Sequence, residues 1–162
     1  MKSMFYYEKV IGRIVIGEDN GEITDVFFGD ITSCDDIELK ETALIKEAAK
    51  QLDEYFDGKR QIFNLPISTK GTAFQQMVWE ALRTIPYGET RSYKDIAAQI
   101  GKFKACRAVG MANNRNSIAI IIPCHRVIGS KGELVGYGGG LNIKEQLLRL
   151  EGKKIIGKRV IL

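Results

Sequence analysis

The stretch Pro123-Cys124-His125-Arg126 sets the only histidine of the chain beside one of its three cysteines. A free thiol is only about 3% thiolate at pH 7, so an imidazole that lowers its pKa by about two units raises the nucleophilic fraction more than tenfold. The pair therefore points to an activated cysteine nucleophile. The run before it, Ile118-Ala119-Ile120-Ile121-Ile122, is rich in β-branched residues and reads as a buried strand between Asn116 and Pro123. Adjacent side chains on a strand face opposite ways, so contact between Cys124 and His125 needs a turn or a water between them. A buried structural cysteine next to a hydrogen-bonded histidine is the plainer reading of the same residues.

Downstream, residues 132–140 contain five glycines around Tyr137, a pliable loop whose backbone can approach a ligand closely. It lacks the Gly-Lys-Ser/Thr ending of a nucleotide-triphosphate loop. A helix follows over Asn142 to Leu150, with Gly152 closing it. Glu145 stands three residues after Asn142, which suits a capping box. It also suits a carboxylate that orients His125 and stabilises its cation.

The elements that must position these groups begin at Thr72-x-x-Gln75, a capping box that opens a helix carrying Phe74, Val78, Ala81, Leu82 and Ile85 on one face. Pro86-Tyr87-Gly88 ends it. Residues 92–100 form a short helix, Gly101 breaks it, and a further helix runs from about Lys104 to about Asn113. Two short helices around a glycine turn suggest a helix-turn-helix. The second helix is small in its side chains, with Arg107 alone in mid-helix; it suits close, sequence-tolerant approach to a shallow groove, with Arg107 able to enter the base stack. Tight core packing of Ala105, Ala108 and Ala112 with a solvated Arg107 accounts for the same pattern.

Charge favours the nucleic-acid reading. The net charge of +4 divides into −6 over residues 1–68 (8 Lys+Arg, 14 Asp+Glu) and +10 over residues 69–162 (16 against 6). A cationic second half is the footprint of a polyanion partner. The acidic half reads as strands around Asp19-Asn20-Gly21, a hairpin signal, then a helix over Ile37 to Phe56, a strand at Gln61 to Leu65, and a polar linker before the second half. It shows no catalytic motif.

With 162 residues, 44% hydrophobic and 27% charged, the chain has globular composition and can bury a core without disulfides. Its longest apolar run is too short to cross a bilayer, and its first residues lack the features of a secretion signal, so a cytoplasmic protein is expected. Three cysteines without a Cys-x-x-Cys pair, and one histidine, do not complete a zinc shell.

Ile122-Pro123-Cys124-His125-Arg126-Val127-Ile128-Gly129, together with Ser92-Tyr93, Arg107-Ala108-Val109-Gly110, Asn116 and Gly136-Tyr137-Gly138-Gly139-Gly140-Leu141 through Lys144-Glu145, closely resembles the O6-alkylguanine-DNA alkyltransferases. The resemblance spans roughly residues 72–152. Residues 1–68 match only in general shape the family's N-terminal α/β domain, which has a ribonuclease H-like fold. It implies a structural α/β domain over 1–68, and over 69–162 a mainly α domain with a helix-turn-helix (winged-helix-like) that binds DNA and accepts the alkyl group.

By the same resemblance Cys124 is the alkyl acceptor, His125 a water-mediated base, Glu145 the holder of His125, and Asn116 the brace of the active-site turn. Tyr93 presses on the target phosphate while Arg107 fills the gap left by the rotated nucleotide. Tyr137 hydrogen-bonds in the base pocket, and Ala108, Gly110, Arg126 and Gly138 complete the DNA and substrate contacts. The implied reaction removes the alkyl group from O6-alkylguanine, and from O4-alkylthymine, in duplex DNA, once per molecule. It uses neither S-adenosylmethionine nor metal, and the protein acts as a monomer. Gly138 stands where relatives often carry serine, which removes a hydroxyl from the pocket. Two other classes compete: a helix-turn-helix regulator indifferent to Cys124→Ser, and a thiol hydrolase that turns over without DNA. The first lacks base-reading side chains on its second helix, and the second does not account for the +10 half.

Overall fold

The computed structural model describes residues 1–32, 35–137 and 139–162, so Cys34 and Gly138 lie outside the described residues. The chain forms two compact units, Met1–Thr69 and Lys70–Leu162.

In the first unit β1 (Lys2–Lys9), β2 (Gly12–Asp19) and β3 (Glu22–Phe28) form an antiparallel meander. The β2–β3 turn places Asn20 and Gly21 at φ +52° and +76°, the left-handed pair that an Asn-Gly hairpin supplies. A short β4 (Ile37–Leu39) adds to the other edge, parallel to β1, giving the order β3-β2-β1-β4. Helix α1 (Ala43–Phe56) starts where Thr42 Oγ1 accepts the Ile45 amide at 3.1 Å. It turns Ile45, Ala48, Ala49, Leu52 and Tyr55 onto the sheet, where Val15, Ile16, Ile23 and Val26 are also buried. Each large aliphatic side chain so buried contributes about 1.5–3 kcal/mol.

Two expectations fail in this unit. The helix expected from Ile37 is a strand up to Leu39, because residues 37–39 take up backbone partners on β1, and the helix starts only after the Thr42 cap. The strand expected at Gln61–Leu65 is absent. The Gln51 side chain satisfies that backbone instead, donating to Asn64 O at 3.1 Å and accepting from Asn64 N at 2.9 Å.

In the second unit α2 (Ala73–Leu82) carries the Thr72/Gln75 capping box, and its Trp79 indole donates to Ala112 O at 2.9 Å. Helix α3 (Tyr93–Gln99) has a second box, Ser92 with Asp95. Gly101 at φ +73° makes the turn to α4 (Cys106–Asn114). The helix-turn-helix is thus present, but α4 begins later than expected and Arg107 lies in its first turn rather than at mid-helix. Residues 102–105 form a separate turn closed by Ala105 N to Lys102 O at 2.8 Å.

A parallel pair, β5 (Arg91–Ser92) with β6 (Val127–Ile128), ties the start of α3 to the residues that follow Arg126. Helix α5 (Leu141–Leu150) and a hairpin of β7 (Ile155–Ile156) and β8 (Arg159–Val160) close the unit over Ile128, Leu134, Leu148, Ile155 and Val160. Among the described residues no helix is long and apolar enough to cross a membrane.

Candidate active site

The residues before Cys124 fold into a buried turn, not the expected strand. Asn116 explains the difference: its Oδ1 accepts Ile118 N at 3.0 Å and its Nδ2 donates to Ile122 O at 2.8 Å, so one side chain replaces a strand partner at both ends. Between them Ile120 is held at φ +72° with 1% exposure. A β-branched residue there stores roughly 1–3 kcal/mol, which the surrounding contacts must overrule. The chain then enters a 3₁₀ turn, Cys124–Arg126. That turn removes the strand alternation that would have set Cys124 and His125 on opposite faces. Asn113, on the buried side of α4, donates to Cys124 O at 3.3 Å.

His125 is fully buried, and its Nε2 lies 2.6 Å from Glu151 Oε2. Arg126 binds the same carboxylate through Nε to Oε1 at 2.8 Å and Nη2 to Oε2 at 3.1 Å, and donates to Ile85 O at 2.7 Å. Gly88 N adds a further bond to Oε1 at 3.1 Å. Burial alone would push the Glu151 carboxyl up, but His125 and Arg126 together hold it well below the usual range. Burial pushes the imidazole the other way, and despite the bond to Glu151 its pKa is lowered from 6.5. His125 is therefore neutral at pH 7, and the permanent cation paired with Glu151 is Arg126. A carboxylate only accepts, so Nε2 carries the imidazole proton and Nδ1 presents a lone pair. Nδ1 is buried without a partner among the described residues.

Two sequence expectations are corrected here. Glu145 does not touch His125; it pairs on the surface with Lys158 at 3.3 Å and Arg149 at 3.4 Å. Nor does it complete a cap, since α5 starts one residue earlier, after Gly140 at φ +100°, with no side-chain cap. Arg126 is not a DNA contact, because it is 6% exposed and committed to Glu151 and Ile85. The residue that sequence reading missed is Glu151. A carboxylate at a helix C-terminus opposes the helix dipole, and its position at the end of α5, just before the closing Gly152, is the signal that it answers a buried cation.

Cys124 is 5% exposed, and burial pushes its thiol up, while the Asn116 side chain and then the charge of Lys144 pull it down. The thiol pKa is raised rather than lowered, so Cys124 is a neutral thiol that must lose its proton in the reaction. Lys144, also missed, is fully buried, with Nζ donating to Val127 O at 2.6 Å and Val135 O at 2.9 Å. Burial lowers its pKa to about 8. Tyr93 Oη donates to the same Val135 carbonyl at 2.8 Å, so α3, α5 and the glycine-rich loop meet on one atom. Burial, then the nearby Cys124, pushes the Tyr93 phenol up to about 12. The same two causes raise Tyr137, whose buried hydroxyl has no partner among the described residues. Both phenols are donors at neutral pH.

The exposed side of α4 carries Arg107, Ala108, Met111, Asn114 and Arg115, a single helical face. Gly110 sits on its flank, where a Cβ would meet the Tyr93 ring at 3.7 Å. Gly138, named with the pocket residues, lies outside the described residues.

Comparison with known proteins follows the same division. Residues 4–69 match the family model of the 6-O-methylguanine DNA methyltransferase ribonuclease-like domain, and residues 73–153 that of its DNA binding domain. The chain is 49% identical over 158 residues to the constitutive methylated-DNA–protein-cysteine methyltransferase of Bacillus subtilis, covering 91% of this chain and 96% of that one. It is 62% identical over 113 residues to the Methanosarcina barkeri methylated-DNA–protein-cysteine methyltransferase, covering 70% and 72%. The crystal structure of Mycobacterium tuberculosis OGT in complex with DNA superposes with a TM-score of 0.86 at 46% identity, covering 92% of each chain.

Proposed function

Because the chain belongs to the 6-O-methylguanine DNA methyltransferase family, we propose that it repairs duplex DNA by moving the alkyl group of O6-alkylguanine, and of O4-alkylthymine, irreversibly onto Cys124. The observation that carries this reading is the chain Glu151–His125 beside a buried Cys124, with the free imidazole nitrogen on the thiol's neighbour. The alkylated oxygen is enclosed by stacking and pairing, so the nucleotide must rotate out of the duplex before the thiol can reach it. Arg107, exposed in the first turn of α4, fills the vacated place, and Tyr93 at the edge of the site presses the backbone outward. Ala108 and Gly110 let the duplex approach the helix closely.

The chemistry is a displacement at the alkyl carbon. The sulfur forms the new S–C bond as the C–O6 bond breaks, and its electron pair passes to the guanine. The thiol proton goes to His125 Nδ1, directly or through a water, and Glu151 supports the imidazolium that results. Tyr137, protonated at neutral pH, donates to the leaving guanine. The product thioether is no longer a nucleophile, so each molecule acts once. Asn116 supports the step by fixing the turn that presents Cys124. Neither metal nor cofactor enters the step. A monomer acting in the cytoplasm on double-stranded DNA completes the reading.

The direct test digests a duplex carrying one O6-methylguanine after incubation and counts the nucleosides. Guanine restored at one equivalent per protein, with no further conversion, is expected; continuing turnover or an intact lesion contradicts the proposal.

The pH dependence has a definite sign. Protonating His125 removes the base, and its pKa is lowered from 6.5. The transfer rate therefore falls as the pH drops, with its acid midpoint below 6.5. Stability shifts the same way: the unfolded chain takes up the histidine proton before the folded one, so lower pH favours unfolding in that window. A single-turnover profile with its acid midpoint above 6.5 would contradict this assignment.

A further inference from the structure

Residues 101–115, from the turn before α4 to just past its end, include Lys102, Lys104, Arg107 and Arg115 and no carboxylate. All four cations are exposed. Set among them are two large apolar side chains that the fold leaves in water: Phe103, 73% exposed between the two lysines, and Met111, 63% exposed one helical turn beyond Arg107 on the same face of α4. Neither contributes to the core, which α4 reaches through Val109 and Ala112.

We propose that Phe103 and Met111 are DNA contacts, packing on the deoxyribose walls of the groove that α4 enters and flanking Arg107. The inference rests on the DNA-repair reading above. The occupant follows from charge: the lysines on each side of Phe103 bring a phosphate backbone to it, and between phosphates the duplex offers the apolar faces of its sugars. Apolar side chains in a groove are also the usual wedges that hold a duplex in a distorted form. Such contacts are blind to sequence, as a protein that must survey every guanine requires. They also divide the work on this face, since the cations attract while Phe103 and Met111 grip.

Salt dependence separates these roles. Losing a phosphate contact lowers the slope of log K against log salt by about one, whereas losing an apolar contact weakens binding without changing the slope. Affinity for a duplex carrying one O6-methylguanine would be measured across a salt series for F103A, M111A, the double variant and K102A, with thermal unfolding as the check on folding. Each apolar variant is expected to weaken binding about 3- to 10-fold at an unaltered slope. F103L and M111L should recover most of the loss, and K102A should reduce the slope. A double variant that binds within twofold of wild type, or apolar variants that lower the slope, would overturn the inference. Failure of the wild-type protein to bind the duplex would instead remove the repair reading and this inference with it.

Discussion

Replacing Glu151 by alanine is expected to lower stability by about 3–5 kcal/mol and to slow alkyl transfer by at least about 100-fold. The stability loss arises because Arg126, buried and bound through Nε and Nη2, is left as an uncompensated charge, and the Gly88 amide loses its acceptor. The rate loss arises because nothing then fixes the His125 tautomer or supports its cation, and a positioned general base is worth about 10²–10⁴ in rate. Glutamine separates the two effects. Its amide keeps the shape but can turn an N–H toward Nε2, so E151Q should fold better than E151A and still transfer slowly. Denaturant unfolding and single-turnover transfer at several pH values read both. Glu145→Gln serves as the control. Its carboxylate meets only surface cations, so E145Q should match the wild type; a large loss of transfer in E145Q with none in E151Q would reverse the assignment.

The second large effect is expected at the nucleophile. Cys124→Ser replaces a polarisable sulfur by a hydroxyl that His125 cannot deprotonate appreciably, and transfer should fall by more than about 10³-fold. Binding should not fall with it. Cys124 is buried on the 3₁₀ turn, while the exposed cations and apolar groups proposed to meet DNA lie on α4 and the turn before it. Affinity of C124S for the alkylated duplex within about threefold of wild type, with no transfer, is the expected pair of results. Residual transfer near the wild-type rate would place the acceptor elsewhere, with Cys106 at the start of α4 the first residue to test.

The parts of the site that could be read from the sequence are those whose partners are near in the chain. Cys124 and His125 are adjacent, and both the Thr72/Gln75 and Ser92/Asp95 capping boxes span three residues, so local spacing was enough for the pair and for the α2 box. Glu151 is 25 residues from Arg126 and 26 from His125, and only the packing of α5 against the 3₁₀ turn brings them together. Glu145 imitated that partner because its spacing from Asn142 and its place on the same helix were equally acceptable locally. The run Ile118–Ile122 misled for a different reason. Its composition satisfies burial whether the backbone is extended or turned, and the choice was made by the Asn116 amide, a single side chain that replaces a sheet partner. Lys144 was hidden by its type, since a lysine on an amphipathic helix is ordinarily solvated, and here two backbone carbonyls receive it. The division of charge between the halves needed no structure, but the exposure of Arg107 and Arg115 together on one face of α4 did.

On the proposed mechanism, Cys124 itself ends the reaction carrying the alkyl group. The most direct test is the intact mass of the protein after mixing with excess duplex containing one O6-methylguanine, followed by peptide mapping. One added methyl group per molecule is expected, found on the peptide that contains Cys124 and absent from C124S. A protein of unchanged mass after the lesion has disappeared, or a methyl group mapped to any other residue, would contradict it.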